Sequence, residues 1–359
     1  MFINLTLGSI IYLSFSSLPI IACIITSYQY YKLRYRHAIF HAFGWFFIVL
    51  WTIFWGLGNL FLSPFYLIMG HFTLIPLAIS LILLQDSIMR ERIDPIKLIL
   101  VSVVGTSVVF TALAPGSTIY YVFPNGELEI IPTEASVITL VILISFACGS
   151  YFYTMLKIFL NSPKNLKKYS LINLFAGFTC GIMPIIILIA GLAWLIPGIF
   201  SIALAVGALF CSIAWALEPR LGFVLPFKAQ RLTVIQTKSG APLFTHVWAI
   251  KSKKVDDILF SGMLNAISSF VEETLESGNV QEVHLKQGIL ILRKSEEHPI
   301  VCVLVTDRST RTLRDSFYSF ADQFFQKFAK YATSAVNLKN FETAAELVEN
   351  NFTFVPEYD

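Results

Sequence analysis

The side chains best suited to bind a small molecule are a few polar and aromatic residues inside apolar segments. Trp55 and Asn59 lie four residues apart in one such segment, and His71 lies in the next. Residues four apart share one face of a helix, and an indole, an amide and an imidazole offer a stacking surface and several hydrogen-bonding groups. We therefore take these three as the candidate ligand-binding residues. The alternative is structural: Asn59 and His71 would satisfy each other or a backbone carbonyl between helices.

Motifs for catalysis and for metal or nucleotide binding are absent from the sequence. The apolar segments contain no His-Glu-x-x-His, no Gly-x-Ser-x-Gly and no paired aspartates, and there is no Gly-x-x-x-x-Gly-Lys-Ser/Thr loop. The five cysteines lack metal-ligand spacing, and His246, His284 and His298 are scattered along predicted strands. We expect no enzymatic activity and no cofactor or metal.

Composition separates the chain into two parts. Hydrophobic residues make up 56% of the chain and charged residues only 14%, whereas soluble proteins carry about 25% charged residues. The apolar excess lies in residues 1–217, which predicts that this part is surrounded by the lipid bilayer. Basic and acidic residues nearly balance in residues 218–359, which argues against nucleic acid as a partner.

Seven apolar segments are long enough to cross a bilayer, which takes roughly 20 residues. They are Leu7–Tyr30, Ala38–Leu62, Phe65–Leu84, Lys97–Ala114, Ala135–Leu160, Tyr169–Leu192 and Pro197–Leu217. Most connections between them are charged, and two are proline-containing turns, at which the helical hydrogen-bond ladder stops. The predicted fold of this part is a multi-pass α-helical membrane bundle of seven helices.

The charged connections predict an orientation for the bundle. Lys and Arg follow spans one, three, five and seven, while the opposite connections carry only the acidic residues Glu127, Glu129 and Glu134. By the positive-inside rule, the N-terminus is extracellular and the C-terminal part is cytoplasmic, with the bundle in the plasma membrane. A polar cluster at the inner face is interpreted as a solvated loop rather than a site for lipid chemistry. It comprises Asp86, Arg90, Glu91 and Asp94.

The connection between spans four and five predicts a small hairpin on the outer side. Residues 118–131 surround Asn125-Gly126, a pair that readily adopts the positive φ of a turn. We expect this hairpin to close a small-ligand cavity that contains Trp55, Asn59 and His71. Active transport is disfavoured because the spans hold few ionisable residues at depth, although a transporter with a regulatory domain remains an alternative.

After a short junction at residues 218–230, residues 231–359 predict an α/β domain with a five-stranded, antiparallel-type sheet and two to three helices. The final strand is almost wholly apolar, as in a central strand covered on both faces, and the helix after it carries an apolar stripe ending at Phe328 and Tyr331. The predicted order is strands Leu232–Thr237 and Pro242–Trp248, helix Asp256–Ser277, strands Val280–Lys286, Ile289–Lys294 and Ile300–Thr306, helix Thr310–Ala332 capped by Ser309, and helix Asn340–Glu349.

Two stretches of this domain resemble the longin and roadblock superfamily. They are Val234-Ile-Gln-Thr-Lys-Ser-Gly-Ala-Pro-Leu-Phe244 and Asp257-Ile-Leu-Phe-Ser-Gly-Met-Leu-Asn-Ala-Ile-Ser-Ser-Phe270, within residues 231–333. The longin-like variant fits better because no extra helix precedes the first strand. The resemblance implies a non-enzymatic docking platform that forms homodimers and binds a small Ras-like GTPase. A PAS-like ligand-binding domain, which shares the hairpin and the three final strands, is the alternative; one long middle helix argues against it.

The seven-span part resembles, in architecture alone, the sensor regions of bacterial and archaeal receptors. The shared features are the number of spans, the outer N-terminus and the inner effector domain. The sequence therefore predicts a membrane-anchored signalling receptor or scaffold whose cytoplasmic longin-like domain docks a small GTPase, with an unidentified small ligand on the outer side.

The predicted orientation can be tested with tags at the two ends of the chain. Protease added to intact cells should remove a tag placed before Met1 and leave a tag placed after Asp359, because only the first is extracellular. Immunoblotting before and after permeabilisation measures both. Loss of the tag after Asp359 from intact cells would contradict the orientation.

Overall fold

A computed structural model of the chain describes residues 3–114, 118–123, 126–132, 134–190, 197–249, 282–286, 288–331 and 338–358. The chain divides into two units, Met1–Gly222 and Phe223–Asp359. The boundary between them falls inside the predicted junction.

Seven helices among the described residues of the first unit are long and apolar enough to cross a membrane, as in a multi-pass membrane protein. They confirm the predicted number of long apolar helices, with ends that differ by a few residues; we number them as spans 1 to 7. The spans are Leu7–Leu33, Arg36–Phe61, Pro64–Met89, Pro95–Leu113, Ala135–Asn161, Lys164–Ile189 and Ile199–Leu217.

Two of the spans are interrupted. Span 1 divides at Ser16 into α1 and α2, and span 6 passes from α7 through the π-helical residues Phe178–Ile182 into α8. Pro184 lies in the first turn of α8; prolines and π-turns both disturb the helical hydrogen-bond ladder. The helices of this unit are α1 (Leu7–Phe15), α2 (Ser17–Leu33), α3 (Arg36–Phe61), α4 (Pro64–Met89), α5 (Pro95–Leu113), α6 (Glu134–Asn161), α7 (Lys167–Gly177), α8 (Met183–Ile189) and α9 (Ile199–Leu217).

The connection between spans 4 and 5 forms the predicted hairpin. Strands β1 (Thr118–Val122) and β2 (Leu128–Pro132) pair antiparallel. The backbone N–H of Phe123 donates to the carbonyl of Glu127 at 2.8 Å, which closes the loop. Gly126 has the predicted positive φ, 82°, and Asn125 lies outside the described residues. We call the end of the bundle that carries β1 and β2 the hairpin end.

The interpretation of Asp86 as part of a solvated loop was wrong. Its side chain is only 1% exposed and lies 2.7 Å from the Lys97 ammonium, and it accepts a hydrogen bond from the Asp94 backbone N–H at 2.7 Å. Helix α4 continues to Met89, beyond the predicted end of the span, and carries the carboxylate into the bundle. A buried carboxylate is tolerated there because the ion pair and the backbone donor replace its hydration.

The second unit contains the predicted five-stranded antiparallel sheet. The strands lie side by side in the order β4-β3-β7-β6-β5. The predicted helix Asp256–Ser277 lies outside the described residues. The elements are β3 (Ala229–Gln236), β4 (Pro242–Val247), β5 (Glu282–Leu285), β6 (Gly288–Lys294), β7 (Ile300–Thr306), α10 (Arg311–Phe328) and α11 (Ala344–Asn351).

The core of this unit lies on both faces of β7, as its apolar sequence predicts. From Ile300 to Leu304 no side chain is more than 2% exposed. Helix α10 packs against β6 and β7 through a fully buried apolar stripe. The stripe consists of Leu313, Phe317, Phe320 and Phe324.

The two ends of α10 differ from the prediction. Thr310, rather than Ser309, caps the helix, because its hydroxyl accepts the Leu313 N–H, while the Ser309 hydroxyl donates to Glu282 at 2.7 Å. Tyr331 is 36% exposed instead of continuing the apolar stripe. It lies in a 3₁₀ turn (Ala329–Tyr331). Because a 3₁₀ turn has three residues rather than 3.6, its side chains no longer follow the apolar face of the α-helix.

Phe317→Ala should destabilise the second unit by about 3–5 kcal/mol, the usual cost of truncating a buried Phe. Urea unfolding of residues 223–359, followed by circular dichroism, measures the change. Ser319→Ala, at an exposed position on the same helix, should change the free energy of unfolding by less than about 0.5 kcal/mol. Equal effects of the two substitutions would contradict the packing described for α10.

Candidate functional site

A cavity of about 320 Å³ lies at the hairpin end of the bundle. Its volume falls within the range of small-molecule sites. Every span except the fourth contributes side chains to its lining, and β2 contributes Glu129. Of the three predicted ligand-binding residues, Trp55 and His71 line the cavity and Asn59 does not.

One wall of the cavity is aromatic. The ring of Tyr12 lies 5.9 Å from that of Trp51 and 5.7 Å from that of Trp55, measured between centroids. The two indoles are 6.0 Å apart, and the His71 ring lies 5.6 Å from Trp55. These distances are typical of interacting rings. The four side chains form one continuous wall, which we call the aromatic wall.

Local sequence features hold this wall in place. A Cβ atom at Gly70 would lie 2.8 Å from Cδ1 of Trp55, so the glycine allows the indole to approach span 3. The Nδ1 atom of His71 lies 3.0 Å from the Leu67 carbonyl one turn earlier. Because a carbonyl only accepts, this contact assigns the imidazole proton to Nδ1 and makes Nε2 an acceptor.

Asn59 attaches the hairpin to the bundle. It is 3% exposed; its Oδ1 accepts the Leu128 N–H at 2.9 Å, and its Nδ2 donates to the Trp55 carbonyl at 3.2 Å. The Asn4 side chain donates to the carbonyls of Asn59 and Gly126 at 3.3 and 2.6 Å. Asn59 and His71 thus each bond to the backbone, and Asn59 acts on the cavity through the hairpin.

Two carboxylates of the hairpin face the bundle. Glu127 is 7% exposed and accepts the Gly8 N–H in the first turn of α1 at 2.8 Å, where the helix dipole favours negative charge. A Cβ atom at Gly8 would lie 2.6 Å from this carboxylate oxygen, so a larger residue would displace it. Glu129 lines the cavity, and its burial, together with the nearby Glu127, raises its pKa to about 7.

A second polar cluster, which no local sequence pattern predicts, lies toward the other end of the bundle. Oδ1 of Asn173 accepts the Trp215 indole N–H at 2.9 Å. The Tyr151 hydroxyl donates to Cys211 Sγ at 3.2 Å, and that sulfur lies 3.6 Å from His41 Nε2. The cluster therefore joins spans 2, 5, 6 and 7 through buried polar contacts, which fix helix positions in an apolar bundle.

Spans 6 and 7 belong to both the cavity and this polar cluster. On span 6, Pro184 lines the cavity and Asn173 belongs to the cluster, with the π-helical segment between them. On span 7, Leu204 lines the cavity and Cys211 belongs to the cluster. A Cβ atom at Gly207 would lie 2.4 Å from Cys180 Sγ, so the two spans pack closely between the two sites.

Tyr12, Trp51 and Glu129 are lining residues that the sequence analysis missed. Trp51 had a detectable signal, because it precedes Trp55 by one helical turn and shares its face. Glu129 occupies a position in a strand, where alternate residues share a face, but that pattern does not say which face meets the bundle. Tyr12 carries no local signal, because its role depends on how span 1 packs.

Of the histidines singled out in the C-terminal part, His246 packs against Trp248, His284 lies 3.6 Å from Glu282, and His298 lines a second, polar cavity of about 620 Å³. Among the described residues, no group of three or more His, Cys, Asp or Glu side chains could hold a metal ion. Arg314 lies 3.2 Å from Glu282, and Arg311 lies 3.6 Å from Asp315. Two basic residues near the start of α10 are therefore paired with acidic side chains.

Comparison with known proteins found no matching family, no matching curated protein and no matching solved structure.

Asn59→Ala should loosen the hairpin, because it leaves the buried Leu128 N–H without its acceptor at a cost of about 1–3 kcal/mol. Hydrogen–deuterium exchange of residues 126–132 in the full chain should become faster. Asn161→Ala removes an exposed amide that bonds its own helix and should leave exchange in the hairpin unchanged. Unchanged exchange in Asn59→Ala would contradict the anchoring role.

Proposed function

We propose that this chain is a plasma-membrane receptor that binds a small molecule beneath an extracellular hairpin and signals through its C-terminal domain. The observation that supports this proposal most directly is the cavity at the hairpin end, whose described lining includes an aromatic wall and one carboxylate. Concave, mostly apolar sites with a few polar groups are the usual form of small-molecule sites.

The distribution of charge supports an extracellular position for this cavity. The hairpin connection carries acidic residues and no Lys or Arg, while basic residues follow spans one, three, five and seven. The positive-inside rule then assigns the hairpin end to the outside of the cell. A ligand would reach the cavity from that side.

The arrangement of the bundle offers a route for a signal. Spans 6 and 7 contribute both to the cavity and to the polar cluster around Asn173, so a shift of either span at the cavity would strain contacts of the cluster. Span 7 is followed by the C-terminal unit, with only residues 218–228 between Leu217 and the start of β3. Buried helices that move as packed elements are a common means of such transmission.

The proposed output is recruitment of a small Ras-like GTPase. The resemblance to longin and roadblock domains motivates this assignment, and the five-stranded antiparallel sheet supports an α/β docking domain. The PAS-like alternative shares the opening hairpin and the three final strands, so it predicts the same sheet with a bound ligand in place of a GTPase. A homodimer would form through a sheet edge or through the helix that the sequence predicts at Asp256–Ser277.

GTPase capture tests the proposal. The full chain in nanodiscs is compared with a chain truncated after Gly222. Only the full chain should retain a small GTPase from lysate of the source organism. Retention should occur in only one nucleotide state, because Ras-like proteins change the conformation of their switch segments on hydrolysis. Mass spectrometry after loading the lysate with GDP or with a non-hydrolysable GTP analogue measures the retention. Equal retention by both chains, or in both nucleotide states, would contradict the docking role.

A further inference from the structure

We propose that the cavity binds a small organic cation, a free amine or quaternary ammonium that carries an apolar body. This inference rests on the proposed receptor function and names the ligand class of the same site. It is carried by the charge of the lining, by the geometry of the aromatic wall and by the shape of the remaining apolar surface.

The charge of the lining favours a cation. Among the described residues, the lining contains the Glu129 carboxylate and no Lys or Arg. Glu127 lies two residues away, and its carboxylate is held by the first turn of α1. An anionic ligand would lie against the Glu129 carboxyl with the Glu127 carboxylate nearby, whereas an ammonium group would compensate the charge of Glu129.

The aromatic wall supplies the second recognition element. Tyr12, Trp51 and Trp55 lie within 6.0 Å of one another, centroid to centroid. The faces of such rings attract cations, and clusters of Trp and Tyr rings are the usual sites for quaternary ammonium groups. Tyr12 and Trp51 are 7% and 6% exposed and Trp55 is half-buried, so Trp55 offers the largest accessible surface of the three rings to a ligand.

The rest of the lining accounts for the apolar body. It is mostly aliphatic, with Phe200 as an aromatic member, and comes from spans 3, 5, 6 and 7. Its members include Leu74, Leu77, Leu140, Leu143, Leu188 and Leu204. A ligand with a charged head near Glu129 and a hydrocarbon or aromatic body toward these side chains would match both parts of the cavity.

The ionisation of Glu129 makes the inference testable by pH. The pKa of Glu129 is raised to about 7, so the carboxyl is mostly neutral at pH 6 and mostly ionised at pH 8. Affinity for a cation should therefore rise by about tenfold over this interval. The other titratable groups around Glu129 are Tyr12 on span 1, His71 on span 3, Cys148 on span 5 and Glu127 on the hairpin. Protonation of His71 at low pH would also lower the affinity for a cation. The pH profile of Glu129→Gln separates the contribution of His71 from that of Glu129, because only His71 can still titrate in that pair.

An ammonium group could come from a free amine or from a lipid headgroup. A zwitterionic headgroup would also bring a phosphate, for which the lining has no basic residue. The free amine is therefore the favoured source. Nanodiscs of phosphatidylglycerol exclude amine headgroups. At high salt, which screens the surface charge of this lipid, replacing it with phosphatidylcholine should leave the affinity for a free amine unchanged. Competition by phosphatidylcholine under these conditions would contradict the assignment to a free amine.

Binding of matched probes tests the proposal on the full chain in phosphatidylglycerol nanodiscs. The cations are choline and phenethylamine, and their uncharged counterparts of similar shape are 3,3-dimethyl-1-butanol and 2-phenylethanol. Titration calorimetry should give an affinity about tenfold or more higher for each cation. The pH series uses choline, because its charge does not change with pH and any change in affinity then comes from the protein.

Two variants with matched controls locate the binding. Glu129→Gln should weaken choline binding by about tenfold or more and abolish its pH dependence, because it removes the charge and keeps the shape. Trp55→Leu should weaken choline by about tenfold. Glu346→Gln, at an exposed carboxylate of the other unit, and Phe46→Leu, at a side chain of span 2 that is 45% exposed, should leave binding unchanged. Thermal melting checks that all four variants fold.

Specific results would overturn the inference. Equal affinity for charged and uncharged probes, no binding of either cation, or unchanged choline affinity in Glu129→Gln would each reject the organic cation as ligand. If the uncharged probes bind as tightly as the cations and Trp55→Leu weakens the binding of both, the proposal of a cationic ligand is wrong, but the cavity remains a binding site for a small molecule. Failure of the receptor proposal itself is seen separately, in the GTPase capture experiment.

Discussion

The structure of the bundle depends largely on one constraint: burying a polar group among apolar helices costs free energy unless the group finds a partner inside the protein, since the bilayer offers no water to replace it. The Asn59 amide meets this constraint by bonding the Leu128 N–H and the Trp55 carbonyl. Asp86 meets it through Lys97 and a backbone N–H. Each of these hydrogen bonds also attaches a connection between spans to the bundle. The bonds that satisfy the buried side chains therefore also position the connections that follow spans 3 and 4.

The constraint explains why the two ends of the bundle differ. Toward the end opposite the hairpin, Asn173, Trp215, Tyr151 and Cys211 satisfy one another and leave a closed polar cluster. At the hairpin end, the Glu129 carboxyl faces an open space lined mainly by apolar and aromatic side chains. A carboxyl in such a place keeps its proton more readily than in water, and a cation that enters the space would replace the proton. This difference is the physical basis for proposing ligand binding at one end and structural coupling at the other.

Much of the fold could be predicted because it follows from composition over long segments. The seven spans follow from hydropathy, and the strands from short apolar runs such as Ile300–Thr306, whose predicted bounds match the structure. Predictions from the sequence were wrong where a single tertiary contact, or a change of helix type, overrides the local pattern of polar and apolar residues. Asp86 is charged yet buried, because Lys97 lies beside it. Tyr331 leaves the stripe of α10, because the last turn tightens. For the candidate site, Trp55 and His71 were found as unusual residues in apolar segments, whereas Tyr12 and Glu129 were not.

The sequence by itself determined which segments are apolar enough to span a membrane, which side carries the basic residues, and where the strands of the C-terminal unit lie, because each depends on side chains close together along the chain. Tertiary structure decided which residues share the cavity. Tyr12, Trp55, His71 and Glu129 come from three spans and a hairpin. The close packing that Gly70 allows and the bond from Asn59 to the backbone of β2 are among the contacts that bring them together. Such meetings depend on the packing angle and register of separate elements, which no local pattern of residues encodes.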